Sequence, residues 1–149
     1  MLEHYSSILT SLERIELASK ILKRINSASE SIESPAFFSL TEQSLSALNQ
    51  TSQNQDIASK LVEIWFTLNL NKLLGSELNL YRDSAGRKLE PGKTYIYDAT
   101  ENAFAEHPSG PYSANEIQLL RLLLTSPLEV ASRVKNLDSY LPKLTLFIK

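Results

Sequence analysis

The sequence predicts a mainly α-helical bundle carrying a small β-hairpin, and three observations predict it. Apolar residues recur at spacings of three and four through most of the 149 residues, which is the period of an amphipathic helix. That period breaks once, between Gly75 and Tyr112, where Gly86, Pro91 and Gly92 punctuate turns and Tyr95, Ile96 and Tyr97 form a β-prone run. Helical spacing then resumes behind Ser113-Ala114-Asn115-Glu116, a capping box with Ser at the N-cap and Glu three residues on. With 42% hydrophobic and 21% charged residues, the chain has the length and balance of one globular domain over residues 1–149, with the hairpin inserted at about 78–112.

A first helix is expected over roughly Leu2 to Asn26, because Tyr5, Ile8, Leu12, Ile15, Ala18, Leu22 and Ile25 share one face. Its back carries Glu13, Glu16, Lys20 and Arg24, the usual solvated charges. After a short serine-rich linker, Ser34 caps a second helix whose first residue is Pro35 and whose stripe is Phe37, Phe38, Thr41, Leu45 and Leu48. A polar loop follows. Asn54 or Asp56 caps the third helix, where Leu61, Ile64, Trp65, Leu68 and then Leu73 or Leu74 face one way until Gly75 stops it. Leu78 and Leu80 point back to the core before a hairpin with strands at Thr94 to Asp98 and Asn102 to Glu106, joined by Ala99, Thr100 and Glu101. A lone hairpin is marginal in water, so one of its faces must lean on helices.

The helix behind the capping box is apolar nearly all round through Ile117, Leu119, Leu120, Leu122, Leu123 and Leu124, as a helix at the centre of a bundle would be. Ser126-Pro127 restarts a helix with Leu128, Ala131 and Val134 facing inward. Asp138 is expected to cap a last segment with Pro142 in its first turn and Leu141, Leu144, Phe147 and Ile148 on its apolar face.

Composition narrows the chemistry. Fifteen basic against 17 acidic residues leave a net charge of -2, so no global basic field recruits nucleic acid. There is no cysteine, and the two histidines are His4 and His107; disulfides and thiolate metal sites are excluded, no metal or cofactor is expected, and a reducing, cytoplasmic compartment fits. No run is long and apolar enough for a membrane span, and no signal peptide is evident. The four glycines are scattered, so there is no phosphate loop. Asp98, Glu101, Glu106 and His107 come nearest to a ligand cluster, and read best as a hairpin rim in water. No nucleophile with a base and no carboxylate pair stands out, so an enzyme is not expected.

The residues left are those that bind. Arg82, Arg87, Lys88 and Lys93 crowd the turn region against Asp83 and Glu90, with Tyr81 and Tyr95 close by. Mixed cations and aromatics suit phosphate contact and base stacking; a solvated loop without a partner is the plainer reading. Arg121, alone on an apolar helix, is either a buried cation with a carboxylate partner or the anchor of an acidic peptide. Phe37 and Phe38 belong to the core, unless one stays partly open for a peptide partner.

The order of three segments resembles the C-terminal part of RecO, the bacterial recombination mediator and DNA-repair protein: WFTLNLNKLLGSELNLYRDSAGRKL, TYIYDATENAFAE and YSANEIQLLRLLLTSPLEVASRV. The last is the most specific, and the likeness is strong from Leu61 to Val134. Family members with a zinc ribbon place cysteines where Arg82 and Ala85 stand here, and others near Glu106 and Ser109, so the resemblance implies an insert that holds itself without zinc. The family's oligonucleotide-binding barrel is not in this chain, which therefore reads as a domain cut from a larger protein. The resemblance implies help in strand annealing and in loading the RecA recombinase, with RecR and the C-terminal tail of single-stranded-DNA-binding protein as partners. Contact with single-stranded or double-stranded DNA is implied to run mainly through the barrel. A stand-alone helical adaptor unrelated to DNA is the alternative.

Overall fold

The computed structural model describes residues 12–30, 34–49 and 55–148. The expected helix start at Leu2 and the Asn54 cap lie outside what it describes; Asp56 falls inside the first turn of the third helix, which begins at Gln55, and so is not its cap. The order is α1 (Leu12–Ser29), α2 (Pro35–Asn49), α3 (Gln55–Leu73), β1 (Tyr95–Asp98), β2 (Ala103–Glu106), α4 (Ala114–Thr125), α5 (Leu128–Ala131), α6 (Leu137–Leu144) and a 3-10 turn, Thr145–Ile148. The described chain is thus mainly helical, with one small antiparallel hairpin.

The centre of the bundle is α3, which packs against α1, α2, α4, α6 and the 3-10 turn. Leu61, Val62, Ile64, Trp65, Phe66, Leu68 and Leu70 are all buried, a wider set than the one-sided stripe read from the sequence. A helix with neighbours on several sides buries more than one face, and the exposed Lys60 and Lys72 mark what is left to solvent. The same helix supplies hydrogen-bond donors to the C-terminal end of α4. Asn69 Nδ2 donates to the Leu123 carbonyl at 3.0 Å, Lys72 Nζ to that of Leu124 at 3.3 Å and Trp65 Nε1 to that of Ser126 at 3.4 Å. Carbonyls at a helix end lack partners within their own helix, so these bonds fix where α4 stops against α3.

Gly75 ends α3 as expected. Its φ is +86°, its N–H donates to the Lys72 carbonyl at 3.1 Å and the Ser76 N–H to that of Asn71 at 2.8 Å, the two bonds of a Schellman cap. On α2 the Ser34 hydroxyl accepts the Ala36 N–H at 3.2 Å, so the Ser-Pro entry is also as read. The faces of the first two helices differ from expectation. In α1 the buried residues are Arg14, Leu17, Ala18 and Ile21, while Leu12 is exposed and Ile15, Leu22 and Ile25 are half-buried. Packing against both α2 and α3 turns that face by about one residue. In α2 Phe37, Leu40, Thr41, Ser44, Leu45 and Leu48 are buried, and Phe38, one step around the helix, stands out.

The strands pair Tyr95 with Glu106, Ile96 with Ala105, Tyr97 with Phe104 and Asp98 with Ala103. Asn102, at φ 50°, sits in the tip and donates through Nδ2 to the carbonyls of Ser76 and Glu77 at 3.0 and 3.2 Å. Tyr97, Phe104, Tyr112 and Phe147 stack edge-on or tilted, with centroids 4.9–6.2 Å apart. The 3-10 turn thereby seats Phe147 against the hairpin, which is the support a two-stranded sheet needs.

The C-terminal part departs most from the reading. Ser126-Pro127 gives only one turn of helix, with Pro127 rather than Ser126 at the N-cap. Asn136, not Asp138, caps α6, from the left-handed region at φ 60°, and Pro142 lies inside that helix. Asn enters that region readily, and Pro142 removes one of the few N–H groups that could bond within so short a helix.

Candidate nucleic-acid and partner interface

The insert is built on two tight turns, each closed by a side-chain acceptor. In the first, Asp83 Oδ1 accepts the N–H groups of Ala85 at 3.0 Å and Arg87 at 2.8 Å, and the Asp83 N–H donates to the Arg87 carbonyl at 2.7 Å. Gly86, at φ +86°, lets the chain reverse there. Burial pushes the Asp83 carboxyl up, but the two N–H bonds and the Arg87 guanidinium outweigh it and hold the group below its ordinary value. In the second turn His107 Nδ1 accepts the Ser109 N–H at 3.1 Å, and the Gly110 N–H donates to the His107 carbonyl at 3.2 Å. Neither acceptor stands out in the sequence; Asp83 was signalled only by its place at the head of a D-x-x-G turn.

The turns are fastened to the hairpin from both sides. Ser84 N–H donates to the Phe104 carbonyl at 2.8 Å, and Tyr95 and Tyr112 exchange backbone bonds of 2.8 and 3.1 Å. Gly110 passes so close to Tyr95 that a Cβ there would lie 2.2 Å from its carbonyl oxygen. Among the described residues no three of His, Asp and Glu are placed to hold a metal ion.

On this frame the four cations of the turn region fare differently. Lys93 Nζ bridges Glu106 at 2.6 Å and Glu90 at 2.8 Å, and these carboxylates hold the ammonium above lysine's ordinary value. Its charge is matched twice over. Arg87 Nε pairs with Asp83 at 3.3 Å, and Arg82 Nη1 donates to the Gly86 carbonyl at 3.0 Å. Arg82 and Lys88 face each other across a β-bridge, and both are exposed. The stretch from Tyr81 to Lys88 contains one acid, Asp83, whose carboxylate is turned inward.

Arg121 is not held by the carboxylate that its buried-cation reading called for. Nε and Nη2 both donate to the Leu80 carbonyl, at 2.9 and 2.7 Å, and the guanidinium carbon lies 5.0 Å from the centroid of the Tyr81 ring. A backbone carbonyl and an aromatic face, rather than a carboxylate, satisfy this half-buried cation. Of the phenylalanine pair, Phe37 is 3% exposed and Phe38 63%; only Phe38 can meet a partner. Glu116 completes the capping box, accepting the Ser113 N–H at 3.4 Å and its hydroxyl at 2.6 Å. Its other oxygen binds Lys143 Nζ at 2.8 Å. Burial raises the Glu116 carboxyl, and the Lys143 and Ser113 bonds more than reverse that.

No described helix is long and apolar enough to cross a membrane. Neither the curated proteins nor the solved structures compared with the chain gave a match. The family described as Recombination protein O C terminal matches residues 12–143, which spans every element from α1 through nearly all of α6, hairpin included. The chain therefore belongs to the Recombination protein O C-terminal family and has a RecO-like role in recombination and repair.

Proposed function

We propose that this domain is the partner-binding part of a RecO-like mediator and performs no covalent chemistry of its own. Its partners are the acidic, aromatic-ended tail of single-stranded-DNA-binding protein and RecR, and through them it promotes strand annealing and loading of RecA. The family match over residues 12–143 carries this reading. Two surfaces support it: the turn bearing Arg82, Arg87 and Lys88 offers positive charge for phosphates, and Phe38 offers an exposed ring for protein contact. Lys93, held between two carboxylates, adds little to the charge of the turn. An acidic tail would meet the positive side of the insert near Arg121.

Titrating a labelled tail peptide against the chain, and against the Arg121→Ala and Phe38→Ala variants, tests the assignment. We expect weaker binding in at least one variant whose circular dichroism is unchanged; equal affinity in all three removes both residues from the interface. For DNA, affinity should fall steeply with salt, as phosphate contacts require. A domain that shifts no oligonucleotide at low salt has no DNA-binding turn.

A further inference from the structure

Tyr81 is an aromatic side chain that the fold places in water on a backbone it holds fast. The ring is 61% exposed, although its neighbours Leu80 and Leu89 are buried. The backbone beneath it is held at three points: Asn79 Oδ1 accepts the N–H groups of Tyr81 and Arg82, each at 3.1 Å, and the Tyr81 carbonyl accepts the Leu89 N–H at 3.0 Å. The Arg121 guanidinium lies against the ring with its centre 5.0 Å from the centroid, and cannot swing away without losing both bonds to the Leu80 carbonyl. One side of the ring thus carries a fixed cation, and most of the rest is open.

We infer that Tyr81, set on Arg121, is a stacking platform for an unpaired nucleic-acid base, with the exposed Arg82 and Lys88 of the same turn taking the flanking phosphates. The inference rests on the DNA-binding reading of this turn and adds a preference for single strands to it. A base inside a duplex is already stacked on both faces, so it can reach Tyr81 only after unpairing, which costs a few kcal/mol. An unpaired base has a free face, and base–aromatic stacking contributes enough to dominate where few phosphates are held. A purely acidic segment is the poorer match, since its carboxylates would use the cations and leave the ring face idle. The platform also needs little ordering on binding, since the ring, the guanidinium and the turn are already tied to the fold.

The test uses the intact chain and fluorescence anisotropy with a labelled oligothymidylate and a labelled duplex at low salt. Tyr81→Ala should weaken binding of the single strand about tenfold and leave the duplex unchanged, while Tyr81→Phe should keep the single-strand affinity. Because the ring is exposed, neither variant should alter the thermal melt. Tyr81→Trp supplies a direct readout, an indole whose emission is quenched when a base stacks on it. The Arg82→Ala, Lys88→Ala double variant should weaken both DNAs. If that double variant loses binding while Tyr81→Ala does not, the turn binds phosphates and the platform is refuted. If the chain binds neither DNA, the platform and the DNA-binding reading fall together. Binding of a poly-glutamate peptide that depends on Arg82 and Lys88, with no quenching of Tyr81→Trp by oligothymidylate, assigns the turn to acidic protein and overturns the inference.

Discussion

At the scale of single residues, Gly110 is the one glycine of the four whose place leaves no room for a Cβ. Its φ needs no glycine; the approach to Tyr95 does. Gly110→Ala should cost about 1–3 kcal/mol, the usual penalty for forcing atoms into filled space, read as a lower urea midpoint. Asp83 and Glu116 are expected to contribute to the loss of stability in acid. Both carboxyls are held below their ordinary values, 3.8 and 4.5, so each contributes stability that is fully present above those values and is lost as pH falls through the lowered ones. Urea midpoints measured from pH 6 to pH 3 should fall more steeply for the natural chain than for an Asp83→Asn, Glu116→Gln variant. Parallel curves would show that these two carboxyls are not the acid trigger. Residues of this kind were hard to read in advance. Glu116 was visible because a capping box has a fixed spacing, whereas Gly110 as a close-approach glycine depends on Tyr95 on another segment, and the bond His107 accepts from Ser109, though local, has no spacing of its own to announce it.

At the scale of elements, helices were legible wherever a local signal fixed them and misread wherever a neighbour did. The Ser34-Pro35 entry, the Gly75 exit and the Ser113–Glu116 cap are local, and all three stand where the sequence put them. The inward face of α1 and the wide burial of α3 are set by what packs beside them, so periodicity came close without reaching them. The phenylalanine pair shows how sharp that boundary is. Phe37→Ala should destabilise the chain by about 3–5 kcal/mol, and Phe38→Ala by no more than about 0.5 kcal/mol; comparable losses in thermal melts would mean that the face of α2 is turned from the one described.

At the scale of the whole molecule, several tethers join the insert to the helices, among them the Arg121 bonds to the Leu80 carbonyl. Asn102 reaches the carbonyls just past α3, while Tyr112 donates to the Lys143 carbonyl at 2.7 Å and Phe147 packs into the hairpin's aromatic cluster. The insert is therefore continuous with the core in its energetics, and it should melt with the helices in one transition. Adding a chelator should leave the melting temperature unchanged, since side-chain acceptors and aromatic packing hold the turns. A drop on chelation would reveal a metal that stabilises the fold. The fold class and the hairpin were readable from the alternation of periods along the chain. The candidate site was readable only as a composition, cations with tyrosines, because what ranks its members is pairing: Lys93 is neutralised, Arg121 is tied down, and Arg82 and Lys88 face outward.

The side-chain acceptors in the two turns have a consequence for damage. A turn held by thiolates is lost once sulfur is oxidised, since sulfinic and sulfonic acids do not readily revert. A carboxylate at Asp83 and an imidazole at His107 offer peroxide no sulfur, and the chain has no cysteine anywhere. Turns built this way have no thiolate whose oxidation could open them.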